Sequence, residues 1–399
     1  MGMLEGRLTF QRFQASGTAP RIFGPDELEK LAGRAIGQSR VVDPTGGQVG
    51  WIAGEHMLDV EFDLAKNIIN DTLYFSLRQD TCKLPADLLH AYTQTELRAL
   101  AANNPSGYPS RWQKKEARQA ARDRLEAEAQ DGRFIRRKEF PMLWDNRVNQ
   151  VLIGTQTAGA IEEARRLFAE TFHRVLTILD AGSVAIRWAE EHSRSRALSD
   201  VRPAEFVPGR GDPEVWWAND PEVPNYLGNE FLLWLWYTID AEEDTISLPD
   251  ESEVTVMFVQ TLTLECPRGQ TGVETIRSDS PTSLPEARQA IRSGKLPRRA
   301  GLIFVRHDQQ YEFTLKGETL GVSSAKLPAI DNNDLRAALD ERIDQIRHLI
   351  ETIDLLYATF LARRVGQGWA NILSAMQRWL QWDDVRRTRS PERLSVVRE

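Results

Sequence analysis

Cysteine is scarce in this sequence, because Cys82 and Cys266 are the only two in 399 residues. Two cysteines are too few for a disulfide scaffold or for a cysteine-rich zinc site. Long apolar runs are also missing, since no segment approaches the roughly 20 apolar residues that a membrane-spanning helix needs. The first residues, MGMLEGRLTFQRF, lack the apolar stretch of a signal peptide. These absences predict a cytoplasmic protein without a membrane partner.

The sequence motifs of common enzyme classes are absent as well. There is no GxxxxGKS/T phosphate loop, no GxGxxG turn, no HExxH metal pair and no GxSxG nucleophile elbow. The six histidines are scattered and show no metal-ligand spacing. Acidic residues cluster at 240–250, in a stretch that is typical of a solvated loop. We therefore predict no catalytic residue, no metal site and no cofactor. A metal-dependent exonuclease stays an alternative, for which several carboxylates would have to converge.

Charge is distributed unevenly along the chain. The formal net charge is −8, which by itself argues against a nucleic-acid-binding protein. Between Ser110 and Lys138, however, there are ten Lys or Arg and five Asp or Glu, so that this stretch carries +5 and the remainder −13. A basic patch on an acidic body concentrates a positive field at one place.

The basic stretch begins with a predicted helix from Trp112 to Gln130. At 3.6 residues per turn, five cations fall within an arc of roughly 100°. This stripe consists of Arg111, Lys114, Lys115, Arg118 and Arg122. Basic and aromatic residues then alternate at Arg133, Phe134, Arg136, Arg137, Lys138, Phe140 and Trp144. Guanidinium groups bind phosphates and rings stack on bases, so the pattern indicates a nucleic-acid surface. A solvated helix face beside a hydrophobic strand is the alternative.

A second basic patch follows a predicted helix from Leu284 to Ser293. Ser283 and Glu286 have the spacing of a capping box, and Gly294 is suited to ending the helix. The cations of this patch are Arg288, Arg292, Lys295, Arg298 and Arg299. They either contact DNA or complement the dipole at the C-terminus of the helix. Neither patch adjoins a helix-turn-helix, zinc-finger or RNP motif, so phosphate contacts with little sequence preference are expected.

Apolar periodicity predicts an α+β protein with antiparallel sheets, flanking helices and a C-terminal helical hairpin. The hairpin contains an apolar seam at 339–379 with spacings of three and four, which is typical of a bundle core or a dimer contact. The predicted segments are an N-terminal half (6–184), an insertion rich in proline and glycine (185–228), a second half (229–332), the helical hairpin (333–384) and a disordered basic tail (385–399).

In their order along the chain, these elements resemble the RdgC family of recombination-associated proteins. The matching features include Gly50-Trp51 in a strand, the segment RQDTCKLP from Arg78 before a helix, and the basic helix that leads to Arg133. The strands at 148–153 and 254–264 and the segment from Glu286 to Lys295 match in order as well. The resemblance spans about residues 6–363 and rests on many local matches.

The resemblance implies a nucleoid-associated homodimer whose two subunits close into a ring around DNA. It implies binding to single- or double-stranded DNA without sequence preference, and competition with RecA in homologous recombination. Residue by residue, it implies that Arg133 and Arg137 line the hole and that Phe134 or Ile135 is the apolar residue beside them. It also places Arg78, Arg277 and Lys295 at basic positions of the family.

We therefore expect a sequence-independent DNA-binding protein that modulates recombination. A protein-interaction scaffold without DNA affinity is a second alternative, in which the seam at 339–379 mediates assembly.

Overall fold

The computed structural model describes residues 3–38, 47–102, 104, 107–209, 215, 223–267 and 272–381. The predicted basic tail (385–399) lies outside the described residues, as do residues 210–214 and 216–222 of the predicted insertion. Within the described part of the chain, no helix combines the length and the apolar character needed to cross a bilayer.

The strands and helices alternate irregularly along the chain. The strands are β1 (Leu8–Ala15), β2 (Gln48–Ile52), β3 (Ile68–Ile69), β4 (Thr72–Cys82), β5 (Ile135–Asp145), β6 (Gln150–Ile153), β7 (Leu176–Ile178), β8 (Thr245–Ser247), β9 (Glu253–Glu265), β10 (Glu274–Ser278), β11 (Leu296–Arg306), β12 (Gln309–Lys316) and β13 (Gly321–Lys326). The α-helices are α1 (Pro25–Ala32), α2 (Leu64–Asn67), α3 (Ala86–Ala102), α4 (Arg111–Ala129), α5 (Ala158–Phe172), α6 (Ala181–Glu191), α7 (Ser195–Ser199), α8 (Leu227–Tyr237), α9 (Pro285–Arg292), α10 (Leu335–Arg364) and α11 (Trp369–Gln381).

The chain folds as two compact units. One consists of residues 15–176, and the other of residues 1–14 together with residues 177–399. The second unit is discontinuous because β1, at the start of the chain, pairs with β13.

The unit of residues 15–176 contains an antiparallel sheet with the strand order β6-β5-β4-β2, and β3 pairs with β4. Its core is aromatic: Trp51 packs edge-on against Phe75, and Trp144 packs against Phe168 and Phe172 of α5, with ring centroids 5.0–5.1 Å apart. Edge-to-face aromatic pairs of this kind add to the free energy gained by burying the rings. The core therefore fixes β2, β4 and β5 against α5.

A helical hairpin is inserted between β4 and β5. The two strands pair without a shift of register from Thr72 opposite Asp145 to Cys82 opposite Ile135, and α3 and α4 connect their far ends. Helix α3 buries none of its residues, and α4 buries only small or apolar residues on one side. The two helices pack mainly on each other. We call α3, α4 and the paired ends of β4 and β5 (79–82 and 135–138) the arm.

The second unit is built on an antiparallel sheet with the strand order β10-β9-β11-β12-β13-β1, and β8 also pairs with β9. Every residue of α8 is buried. Its Phe231 and Trp234 contact Phe360 of α10 at ring-centroid distances of 5.8 and 5.6 Å, and Trp236 contacts Trp379 of α11 at 5.4 Å. The predicted seam at 339–379 is therefore packed within its own unit.

A buried ion pair links two of these helices. Arg364 of α10 and Glu230 of α8 are 6 % and 1 % exposed, and Arg364 Nε lies 2.6 Å from Glu230 Oε2. The Ala204 N–H donates to Glu230 Oε1, and Arg364 Nη2 donates to the Arg202 carbonyl, both at 2.6 Å. Burial raises the pKa of the neighbouring Tyr226 to about 12. Both members of the pair also bond to backbone groups, and such additional hydrogen bonds help a buried ion pair to offset its desolvation.

The α+β class with antiparallel sheets is confirmed, and so are the long helices α3, α4 and α10. Three local predictions are wrong. The sequence from Ile161 to Ile178 predicts one continuous helix, but the helix ends at Phe172 and β7 follows, because His173 adopts a left-handed conformation. The prolines and glycines between Ser193 and Tyr226 predict an irregular loop, but this stretch contains α7. The capping box of Ser283 and Glu286 does not form, since Leu284 is the N-cap residue.

Removing the carboxylate from the buried pair is expected to destabilise the second unit. In Glu230→Ala, Arg364 stays buried without its partner, so the free energy of unfolding should fall by about 3–5 kcal/mol. The control is Glu163→Ala, which breaks an exposed pair with Arg166 and should cost below about 1 kcal/mol. Urea unfolding followed by tryptophan fluorescence measures both. Equal losses in the two variants would contradict this prediction.

Candidate nucleic-acid interface

The basic helix α4 starts at a well-defined cap. The Ser110 hydroxyl accepts a hydrogen bond from the Gln113 N–H at 3.2 Å, and the Gln113 side chain accepts one from the Ser110 N–H at 2.8 Å. This reciprocal pair is a capping box, which satisfies two backbone donors that a helix start leaves free. The helix therefore begins at Arg111, so that Arg111 and Lys114 lie in its first turn or directly after it.

The start of α4 is electrostatically unusual. Its first turn contains no acidic residue, although the partial positive charge at a helix N-terminus favours acids and disfavours cations. Arg111, Lys114, Lys115 and Arg118 are all exposed, and none of them has an ion-pair partner among the described residues. The dipole and the four cations therefore sum to one positive surface. A surface of this kind is suited to bind an anion.

The second half of α4 is neutralised by its own acids. Arg122 pairs with Glu126 at 2.9 Å and Arg124 with Glu128 at 3.4 Å, both with i,i+4 spacing. Arg133 forms a bidentate pair with Asp131, whose pKa it lowers through hydrogen bonding. The predicted stripe is thus divided, and its free cations stop at Arg118.

The side chains of β5 alternate between the two faces of the sheet, which separates its cations into two groups. Arg136 and Lys138 lie opposite Thr81 and Gln79 of β4, are exposed, and have no ion-pair partner in the part of the chain that is described. Arg137 points to the other face, where its Nε lies 3.6 Å from Asp80. Arg136 and Lys138 are therefore two further exposed cations of the arm, on one face of β5.

Arg78 does not take part in this surface. It is 8 % exposed and forms a bidentate pair with Asp80 at 2.8 and 2.6 Å, and it also donates to the Met57 carbonyl. Residues i and i+2 of a strand share a face, which brings the two side chains together. Because its guanidinium is already engaged, we leave Arg78 out of the proposed interface.

The aromatic residues of the arm are arranged differently from the expectation. Trp144 belongs to the core, and Phe134 and Phe140 are half-buried. The exposed rings are Tyr108 and Trp112, which are 79 % and 70 % exposed and flank the start of α4. These two residues are not among the site residues predicted from the sequence. A signal was present, since both lie within four residues of Arg111.

The second basic patch is largely neutralised by internal ion pairs. Lys295 Nζ lies 2.8 Å from Glu274, and Arg298 lies 2.6 Å from Glu265 and contacts Glu318. Arg288 is buried against Asp240, and Arg292 donates to the Leu380 carbonyl. These contacts favour a structural role over DNA contact for most of the patch. That role consists of ion pairs that join strands and helices, and not of an interaction with the helix dipole.

Two cations in or near the second patch remain accessible. Arg277 of β10 and Arg299 of β11 are exposed and have no ion-pair partner among the described residues. They lie opposite Thr261 and Thr263 of β9, and therefore on one face of the sheet. Of the basic residues predicted in this region, these two are the candidates that the structure leaves for phosphate contact.

Among the described residues, no group of three or more His, Cys, Asp or Glu side chains is placed to hold a metal ion. No carboxylate set can therefore be named for the exonuclease alternative. In comparisons with known proteins, no family model matches this chain and no curated protein matches it.

Reversing the charge at the start of α4 is expected to stabilise the helix. In Arg111→Glu/Lys114→Glu, acids replace cations beside the helix dipole, a change worth about 0.3–1 kcal/mol per position at low salt. Hydrogen exchange of the α4 amides should become slower. Arg122→Glu is the control, because it loses the pair with Glu126 and should speed exchange. Faster exchange of the α4 amides in the double variant would contradict this prediction.

Proposed function

We propose that this chain is a sequence-independent DNA-binding protein whose arm contacts the phosphate backbone. One observation carries the proposal: Arg111, Lys114, Lys115 and Arg118 form an exposed row of cations at a helix N-terminus, without a carboxylate partner in the described part of the chain. A fold gains nothing from such a row by itself, because its members repel one another. A polyanion removes that repulsion.

The dimensions of the row suit a phosphate backbone. From Arg111 to Arg118 the helix rises by about 10 Å, at 1.5 Å per residue. One strand of duplex DNA advances about 3.4 Å along the axis per phosphate, so the row matches about three phosphates. Arg136 and Lys138 add two further cations at the strand end of the arm.

The chemistry of these side chains supports binding without sequence preference. Lysine contributes a point charge on a flexible stem, and arginine a fork that suits phosphate oxygens. Contacts to phosphates position a protein on DNA but carry no sequence information. The proposal therefore predicts similar affinity for duplexes of unrelated sequence.

The wider part of the proposal rests on the resemblance to the RdgC family. We propose that the chain acts as a homodimer that encircles DNA, associates with the nucleoid and modulates homologous recombination by competing with RecA. A closed ring would slow dissociation beyond what the phosphate contacts alone provide. Arg133 and Arg137 belong to this proposal as residues near the hole, since both guanidinium groups are exposed and can turn toward phosphates: Arg133 from its exposed pair with Asp131, and Arg137 from its 3.6 Å contact with the buried Asp80.

Salt dependence tests the arm directly. With six free cations on α4 and β5 of the arm, these two elements should make log affinity for duplex DNA fall with log salt with a slope of at most about −5, at 0.9 per neutralised phosphate. Lys114→Gln/Lys115→Gln should weaken binding to every sequence and make the slope shallower by about 2. The charge-matched control is Arg165→Gln/Arg166→Gln on α5, where both arginines are paired with acids.

Anisotropy titration of end-labelled DNA, with and without Mg²⁺, measures these effects. An unchanged slope in the lysine variant would contradict the role of the arm. Loss of labelled ends with Mg²⁺ would support the exonuclease alternative, and absence of binding at low salt would support the scaffold.

The exposed aromatic residues predict a preference for single strands. Bases of single-stranded DNA can stack on the rings of Trp112 and Tyr108, and each base stacked on a ring contributes about 1–3 kcal/mol. Trp112→Ala should therefore lower the affinity for single-stranded DNA by about 5- to 150-fold and change the affinity for duplex DNA much less. Titration of the same variant with both forms of DNA measures the difference. Equal losses would show that Trp112 supports the fold of the arm instead.

A further inference from the structure

Two histidines from separate elements face each other in the second unit. His307 lies in the two-residue turn between β11 and β12, and His348 lies on α10. His307 Nδ1 is 3.3 Å from His348 Nε2, and His348 Nδ1 is 2.8 Å from the Tyr311 hydroxyl, which in turn donates to the Gln309 side chain. Since the hydroxyl proton goes to Gln309, the Tyr311 oxygen accepts from His348 Nδ1–H. His348 therefore presents the lone pair of Nε2 toward His307.

We propose that His307 and His348 form a binding site for Zn²⁺, with water completing the coordination. Two nitrogens that each lie about 2.0–2.1 Å from a tetrahedral zinc ion are separated by about 3.3–3.4 Å. The observed separation of Nδ1 and Nε2 matches that edge of the tetrahedron. Binding requires His307 in the neutral tautomer with its proton on Nε2, so that Nδ1 is free as a ligand.

The surroundings of His348 resemble the outer shell of a metal site. A metal-binding histidine commonly donates its second ring N–H to a fixed acceptor, which sets its tautomer and orientation. Tyr311 has that role here, and its ring is buried.

The positive charge of Arg306, next to the pair, is offset by two carboxylates. Its guanidinium is paired with Asp250 at 2.5 Å and with Glu351 at 2.9 Å. His307 is exposed and His348 half-buried, so an ion can enter from solvent.

The turn that carries His307 has the left-handed backbone of a two-residue hairpin. His307 and Asp308 adopt φ angles of +50° and +60°, which such a turn requires. A bound zinc ion would connect the β11–β12 turn to α10 and stabilise the folded state by linkage.

Calorimetric titration of the untagged full chain with ZnCl₂ tests the site. The expected result is one Zn²⁺ per chain, with affinity lowered by at least about tenfold in His307→Asn and in His348→Gln. Asparagine tolerates positive φ, so the turn should keep its shape in the first variant. His90→Asn on α3, in the other unit, is the matched control and should leave zinc binding unchanged.

Tyr311→Phe separates a metal site from a structural histidine pair. This variant keeps the buried ring but removes the acceptor for His348 Nδ1–H, and should weaken zinc binding by about tenfold. With Co²⁺ in place of zinc, the wild-type chain should show the visible absorption of a tetrahedral ion, which His307→Asn should lose. The proposal fails if the chain binds no zinc, or if His307→Asn and His348→Gln bind it as tightly as the wild type.

Discussion

The pairing of β4 with β5 is the constraint on which the candidate interface depends. Eleven residues of each strand pair without interruption, from Thr72 opposite Asp145 to Cys82 opposite Ile135. At one end the ladder is anchored by the aromatic core around Trp144, and at the other it carries the helical hairpin. The hairpin buries little surface of its own, so its placement depends on the ladder rather than on packing of α3 and α4 against the core.

The ladder also decides which basic side chains are available. Because successive residues of a strand point to opposite faces, Arg137 is turned toward Asp80 while Arg136 and Lys138 are turned toward neutral neighbours. On α4 the same separation follows from helical spacing, since the acids of the second half reach Arg122 and Arg124 but not the first turns. The free cations of α4 and β5 are those that neither the helical spacing nor the alternation of the strand brings near a carboxylate.

The second unit shows the opposite arrangement of charge. Lys295, Arg298 and Arg306 are each paired with acids from other elements, and Glu230 and Arg364 are paired inside the core. Removing one member of such a pair leaves a desolvated charge, so these residues serve the fold. The basic side chains therefore have different roles in the two units. In the arm, several of them are exposed to solvent without an acidic partner, whereas Lys295, Arg298, Arg306 and Arg364 of the second unit join its elements through ion pairs.

By itself, the sequence determined the α+β class, the long helices α3, α4 and α10, and the position of the basic stretch, because these follow from local periodicity and composition. Only the tertiary structure decided which cations are free. The partners of Lys295 and Arg298 lie 20 to 33 residues away, and the facing histidines are 41 residues apart. Contacts over such separations depend on strand register and helix packing, which no short stretch of sequence encodes. For the same reason, the sequence does not show that Trp144 lies in the core whereas Tyr108 and Trp112 are exposed.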